Sequence, residues 1–181
     1  MRIIAGRNRG RKLKSLTGSR DVRPTKDMVR EAVFNMLQDF PGDRQCLDLF
    51  AGFGGLGLEA YSRGAARVDF VEYSRKNCRI IRENISRLGA GNSCRVHCRD
   101  VLDFLESGSG KYDLVFMDPP YSFEKYDEVL AKLRLNVFLN DPAVIVVEHA
   151  GERDFIGPEG YLLLKQKTYG DSGITLLEYQ G

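Results

Sequence analysis

The sequence predicts an α/β fold in which a mostly parallel sheet carries helices on both faces and closes with an antiparallel hairpin. Three observations lead there. Short apolar runs alternate with segments of helical period between residues 45 and 148, and such alternation implies right-handed crossovers between parallel strands. The run Leu114, Val115, Phe116, Met117 is continuously apolar, the pattern of a strand buried on both faces. The last two runs, 161–168 and 174–179, flank Tyr169-Gly170-Asp171-Ser172-Gly173 with no helix between them, so they should pair antiparallel.

The chain opens on a basic segment. Arg2, Arg7, Arg9, Arg11, Lys12, Lys14, Arg20, Arg23, Lys26 and Arg30 stand against Asp21 and Asp27, a balance of +8 in a chain of net charge +2. A basic arm on a mildly acidic body suits a polyanionic partner, because Lys and Arg gain by releasing counterions from phosphates. Ile3, Ile4, Leu13 and Leu16 are interspersed, and Gly6, Gly10 and Gly18 mark turns, so the arm could anchor on the body as a hairpin. Thr25 is a candidate N-cap. Met28, Val29, Ala32, Val33, Met36 and Leu37 then follow the spacing of an amphipathic helix ending near Pro41-Gly42. Residues 1–40 are thus expected to form a basic extension, hairpin plus helix, on a domain spanning 41–181. Within that domain strands are expected at 45–50, 67–72, 94–98, 112–117 and 143–148, with helices near 55–63, 75–88, 101–106 and 124–134.

A length of 181 residues suits one well-buried domain. No apolar run approaches ~18 residues and the N-terminus lacks an apolar core, which argues against a membrane span or secretory signal and for a cytoplasmic protein. Cys46, Cys78, Cys94 and Cys98 contain no C-x-x-C pair. Cys94, His97 and Cys98 would point to opposite faces of one strand, so no metal is expected and the thiols should be buried and reduced.

The first strand runs into Asp48-Leu49-Phe50-Ala51-Gly52-Phe53-Gly54-Gly55-Leu56-Gly57. Gly52, Gly54 and Gly57 fit G-x-G-x-x-G between a strand and a helix, where glycine admits unusual dihedrals and lets a ligand approach the backbone. Glu72 ends the next strand, about 20 residues beyond the first glycine, the place from which an acid accepts hydrogen bonds from ribose hydroxyls. Asp100 ends the third and could receive an adenine amino group, with Val101 beside it. Four successive strands therefore deliver Asp48, Glu72, Asp100 and Asp118 toward one edge. NAD and S-adenosylmethionine share the glycine turn and the ribose acid. Asp48 suits the cationic methionine end of the latter, for which a pyrophosphate would be a poor substitute.

The fourth strand stops at Asp118-Pro119-Pro120-Tyr121. Proline supplies no N–H, so the carbonyls here lack a local donor and, with the Asp118 carboxylate, form a rigid array of acceptors at the strand's carboxyl end. Acceptors suit a substrate amine, and Tyr121 offers a face on which a base could stack. Methyl transfer to an exocyclic nitrogen follows, with a Rossmann-like class I methyltransferase fold. Asp118 and the Pro119 carbonyl would hold the amine, and the base would leave its stack to enter.

Across nearly its whole length the sequence resembles the RsmD-type methyltransferases. The likeness rests on Arg2-Ile3-Ile4-Ala5-Gly6, Arg9-Gly10-Arg11-Lys12-Leu13, Arg23-Pro24-Thr25, Val29-Arg30-Glu31-Ala32-Val33-Phe34-Asn35, Asp48-Leu49-Phe50-Ala51-Gly52, Leu56-Gly57-Leu58-Glu59-Ala60, Asp118-Pro119-Pro120-Tyr121 and Tyr169-Gly170-Asp171. The resemblance implies methylation of the exocyclic N2 of a guanine in small-subunit (16S) ribosomal RNA, free or in a partly assembled particle, by a monomer using S-adenosylmethionine. It implies that the segment before the first strand contributes to the cofactor's methionine end and to RNA contact. Thr25 joins Asp48, Gly52, Gly54, Glu72, Asp100 and Val101 as a cofactor candidate, and Arg23 joins Arg7, Arg9, Arg11 and Lys12 as an RNA candidate. Phe53 departs from related turns, which commonly carry Ser or Thr there, and Phe50 stands where many methyltransferases outside this family have another glycine. The alternatives are a DNA adenine-N6 or cytosine-N4 methyltransferase, which the chain leaves no room to equip with a target-recognition domain, and a non-catalytic RNA-binding assembly factor.

Overall fold

The computed structural model describes residues 1–15, 24–38, 40–151 and 155–181, with backbone alone at 24–26. Arg23, Leu16 and Gly18 lie outside these residues, as does the Thr25 side chain. The elements are α1 Pro24–Leu37, β1 Gln45–Leu49, α2 Gly55–Ser62, β2 Arg67–Glu72, α3 Arg75–Arg87, β3 Cys94–Cys98, α4 Val101–Ser107, β4 Tyr112–Met117, α5 Tyr126–Leu135, β5 Leu139–Ala150, β6 Tyr161–Tyr169 and β7 Ser172–Tyr179. They build one seven-stranded sheet of order β3-β2-β1-β4-β5-β7-β6. The first five strands of that order are parallel, and β7 runs antiparallel between β5 and β6. This is the Rossmann-like class I methyltransferase arrangement.

Alternation along each strand builds two apolar layers. Phe116 and Val146 face Val33 and Phe34 of α1, Leu58 of α2 and Ile81 of α3. Val115 and Ile145 face Val101 and Phe104 of α4 and Leu130 and Leu133 of α5. The inner strands β4 and β5 are largely apolar because both faces are covered, whereas the edge strands β3 and β6 are largely exposed.

Most boundaries shift by a residue or two, and three of the differences have a local cause. Helix α1 begins at Pro24, so Thr25 sits inside the first turn instead of capping it; proline suits the first helical position, where its missing N–H costs nothing. The same helix stops at Leu37, well before Pro41-Gly42, and Gln38 follows at φ 53°. Strand β5 begins at Leu139, not 143, because the turn-like Asn140-Asp141-Pro142 is carried in the sheet across a bulge in the pairing with β4. Asn140 Nδ2 donates to Asp113 Oδ1 there at 2.8 Å.

The arm docks on the body. Ile3 N–H donates to the Arg11 carbonyl, Gly10 N–H to that of Ile3 and Leu13 N–H to that of Met1. Ile3 and Leu13 are buried in the α1–α3 core, while Ile4 is half-buried. What seats the arm is Glu59 of α2, fully buried, which accepts Ile4 N–H at 2.8 Å and Ala5 N–H at 2.9 Å and pairs with Arg63 at 3.0 Å. A buried charge is tolerated only when so surrounded.

Cys46, Cys78 and Cys94 are buried free thiols, whereas Cys98, at the end of β3, is exposed, contrary to expectation. His97 Nε2 donates to Asp69 Oδ1 at 3.2 Å. Among the described residues no helix is long and apolar enough to cross a membrane.

A candidate cofactor and base site at the carboxyl edge of the sheet

The register brings the predicted acids together. Leu49 pairs with both Val71 and Met117, and Glu72 pairs with Cys98, so the carboxyl ends of β3, β2, β1 and β4 form one edge. Chain order reverses between β1 and β4, the switch point at which open α/β sheets bind ligands.

The glycine turn is built for close approach. Gly52 and Gly54 have φ of 57° and 82°, in the left-handed region, and Gly54 caps α2. Gly57 serves packing instead, since a Cβ there would lie 2.4 Å from the Phe70 ring and 2.9 Å from Val68. Two acids brace the turn. Glu72, nearly fully buried, accepts Gly52 N–H through one oxygen and Ser74 N–H through the other, each at 2.8 Å. Asp48 lies one residue inside β1, beneath the edge, and accepts Gly57 N–H at 2.8 Å. Burial pushes its carboxyl up to about 7, with the nearby Glu72 charge adding to the effect and the Gly57 N–H opposing it. Asp100 is exposed and caps α4, accepting Leu102 N–H at 2.8 Å, with Val101 buried behind it.

Phe50, one residue past β1, adopts φ 59°, which explains why many methyltransferases outside this family have glycine there. Its ring packs edge-on against Phe123 at 4.9 Å, tying the glycine turn to the loop after β4. The Phe53 carbonyl accepts from Asn84 of α3, whose buried amide also exchanges two hydrogen bonds with the Lys14 backbone.

The Asp-Pro-Pro-Tyr loop forms the other wall. Asp118 is half-buried and Pro119 buried. The expectation that both proline carbonyls lack donors holds in part: Pro120 accepts Phe123 N–H at 2.8 Å, while that of Pro119 has no partner among the described residues. Tyr121 is 66% exposed, its ring available, and its hydroxyl lies 3.0 Å from Ser172 Oγ at the start of β7. Such a pair of walls, acids and left-handed backbone on one side and rigid acceptors beside an open ring on the other, can hold a cationic nucleoside against an amine.

A family model described as conserved hypothetical protein 95 matches residues 1–178. The chain belongs to this family. Among similar curated proteins, Ribosomal RNA small subunit methyltransferase D of Haemophilus influenzae is 39% identical over 94% of this chain and 89% of its own length. The protein of the same name from Escherichia coli is 38% identical over 98% and 89%. The solved structure of yhhF from Escherichia coli superposes with a TM-score of 0.89 at 38% identity, covering 99% of this chain and 98% of that one.

Within this family member the arm divides its cations. Arg7, though exposed, lies against the body: it stacks over the Tyr61 ring at 3.9 Å and donates to the Tyr61 carbonyl at 2.8 Å. Arg9, Arg11 and Lys12 are exposed and form no ion pair among the described residues. Sequence reasoning missed Glu59, Asn84 and Ser172, whose partners lie far away in the chain; only the resemblance pointed to the segment holding Glu59.

Proposed function

We propose that the chain is a ribosomal RNA methyltransferase that uses S-adenosylmethionine to methylate the exocyclic N2 of a guanine in the small-subunit RNA. The observation that carries this reading is the meeting, at one switch point, of the braced glycine turn with Asp118 and the Pro119 carbonyl. The family relatives named as small-subunit RNA methyltransferases support it.

The donor set fits the cofactor. Left-handed backbone at Gly52 and Gly54 keeps side chains away from the turn, and Asp48, Glu72 and Asp100 suit a cation, ribose hydroxyls and an adenine amine better than a pyrophosphate. The α1 start, with Thr25, would close the methionine end. Bound there, S-adenosylmethionine supplies a methyl group on a positively charged sulfur. The chain's own residues do the rest. An exocyclic amine is a weak nucleophile because its lone pair is conjugated with the ring. Asp118 and the Pro119 carbonyl accept its hydrogens, aim the lone pair and stabilise the positive charge that develops on nitrogen. Tyr121 holds the extruded base by its face, a contact of ~1–3 kcal/mol. Arg9, Arg11 and Lys12, with Arg23, meet RNA phosphates, and Arg7 positions the arm. Ribosomal RNA places this activity in the cytoplasm.

The test is Asp118→Ala, assayed with labelled cofactor on small-subunit RNA and particles. Methyl transfer should fall by about 100- to 1,000-fold while cofactor binding by calorimetry persists. Mass spectrometry of RNA from cells with and without the protein then locates the nucleotide. Unchanged modification would remove Asp118 from the mechanism, and transfer to DNA alone would favour the DNA enzyme.

A further inference from the structure

Glu148 lies next to Asp118 across the parallel pair. Met117 is the register partner of Val147, so the next residue on each strand, Asp118 and Glu148, stand side by side at the sheet edge. Phe116 and Val146 share one core layer; the two-residue period puts Glu148, inside β5, on that same face, and Asp118 follows directly after the last residue of β4. Both are half-buried.

Glu148 is also aimed. Ser172 Oγ donates to Glu148 Oε1 at 3.1 Å and sits 3.0 Å from the Tyr121 hydroxyl. A serine hydroxyl has one hydrogen, and a carboxylate oxygen can only accept. The Ser172 hydrogen therefore goes to Glu148 and the Tyr121 hydroxyl donates to Ser172. A single buried serine thus fixes the stacking ring and the second acid relative to each other.

Two acceptors at neighbouring positions, one of them linked through Ser172 to the Tyr121 hydroxyl, match one nucleobase edge. Guanine presents the ring N1–H directly beside its N2 amine, two donors in a row. Adenine has a bare N1 beside its N6 amine, and cytosine a bare N3 beside its N4 amine. A carboxylate facing either lone pair would be repelled, with no donor for the oxygen that faces the base.

We infer that Glu148 is a specificity-determining residue that accepts the N1–H of the guanine whose N2 amine lies at Asp118, and that Ser172 positions it together with Tyr121. The inference rests on the methyl-transfer reading above and names the base that Asp118 and Tyr121 alone leave open.

The experiment uses the full chain and small-subunit RNA carrying guanine or 2-aminopurine at the mapped nucleotide; 2-aminopurine keeps the 2-amine and has no N1–H. Wild type should favour guanine by at least about 10-fold in kcat/KM, the size of a lost hydrogen bond to a charged group. In Glu148→Gln the guanine rate should fall about 10-fold or more while 2-aminopurine is unchanged or improved, so that the preference collapses; Tm and cofactor affinity should stay at the wild-type values. Ser172→Ala should narrow the preference in the same direction, and Ser172→Thr, which restores a hydroxyl, should recover it. Equal use of both bases by wild type, or an undiminished preference in Glu148→Gln, overturns the inference. If Glu148→Gln does not fold, Ser172→Ala decides by the same ratio. Failure of wild type to methylate guanine at all would instead overturn the functional reading beneath it, so the two failures are told apart by the guanine arm.

Discussion

The glycine turn and the Asp-Pro-Pro-Tyr loop leave neighbouring strands at the same edge, yet they are held in opposite ways. Around the turn, Glu72 and Asp48 each accept a backbone N–H, Ala51 N–H donates to Val71, and Gly57 fits against Phe70 with no space to spare. Around the loop, Tyr121 stands mostly in solvent, and its hydroxyl bond to Ser172 is what ties it to the sheet. The contrast follows from the two ligands. A cofactor is the same molecule at every turnover, so a site over-determined by packing costs nothing in adaptability and places the donor accurately. A base comes attached to a polymer and must first leave its stack, so its wall needs an open face and few fixed contacts.

The largest break in this comparison should come from Gly57→Ala. In an ordinary helix alanine is better than glycine by ~1 kcal/mol. Here the new methyl would meet Phe70 at 2.4 Å in a fully buried layer, and overpacking of this kind costs about 1–3 kcal/mol or more. We expect Tm to fall by several degrees and cofactor affinity by at least about 10-fold, measured by thermal melting and calorimetry. Gly91→Ala, with nothing within 4 Å of the added Cβ, is the control and should leave both unchanged. Equal behaviour of the two variants would mean that the turn's packing is dispensable.

The opposite wall should answer differently. Tyr121→Ala removes an exposed ring, so Tm should stay within about 1–2 °C, the range of ordinary surface changes. The loss should appear in kcat/KM for RNA, by about 5- to 150-fold if the ring contributes ~1–3 kcal/mol of stacking, with cofactor affinity intact. A fall in Tm as large as that of Gly57→Ala would erase the distinction between the walls.

How much of this was legible beforehand follows the same division. The strand–turn–helix order and the acids at strand ends can be read directly, because each depends on a few adjacent residues and a period of two or 3.6. The hairpin is equally local. The start of β5 is less legible, because Asn140-Asp141-Pro142 has the composition of a turn while Asn140 bonds to Asp113 on the neighbouring strand. Glu59 reads as one more helical acid on a solvated face; its partners, Ile4 and Ala5, lie more than fifty residues earlier. Glu148 and Ser172 are silent for the same reason, since their meaning arises only when β5, β7 and the loop after β4 converge.

The smallest effect sharpens the comparison most, because it asks whether the cofactor wall is charged before the cofactor arrives. Burial raises the Asp48 carboxyl from 3.8 to about 7. The unfolded chain gives up this proton near its ordinary value, and the folded chain keeps it until about 7, so folding takes up a proton between the two. The group's contribution to stability is therefore complete below pH 4 or so and is lost as pH rises through about 7. Asp48→Asn keeps an oxygen for the Gly57 N–H and titrates no proton. Its Tm should decline less than that of wild type between pH 5 and 8, by a few degrees at ~2–4 °C per kcal/mol for a chain of this size. A cationic cofactor group beside Asp48 would draw the carboxyl back toward ionisation. Binding near pH 6.5 should then release a fraction of a proton, visible as a dependence of calorimetric enthalpy on buffer ionisation, and Asp48→Asn should abolish that dependence along with much of the affinity. Buffer-independent binding by wild type would detach Asp48 from the cofactor's charge and leave it a brace for the glycine turn alone.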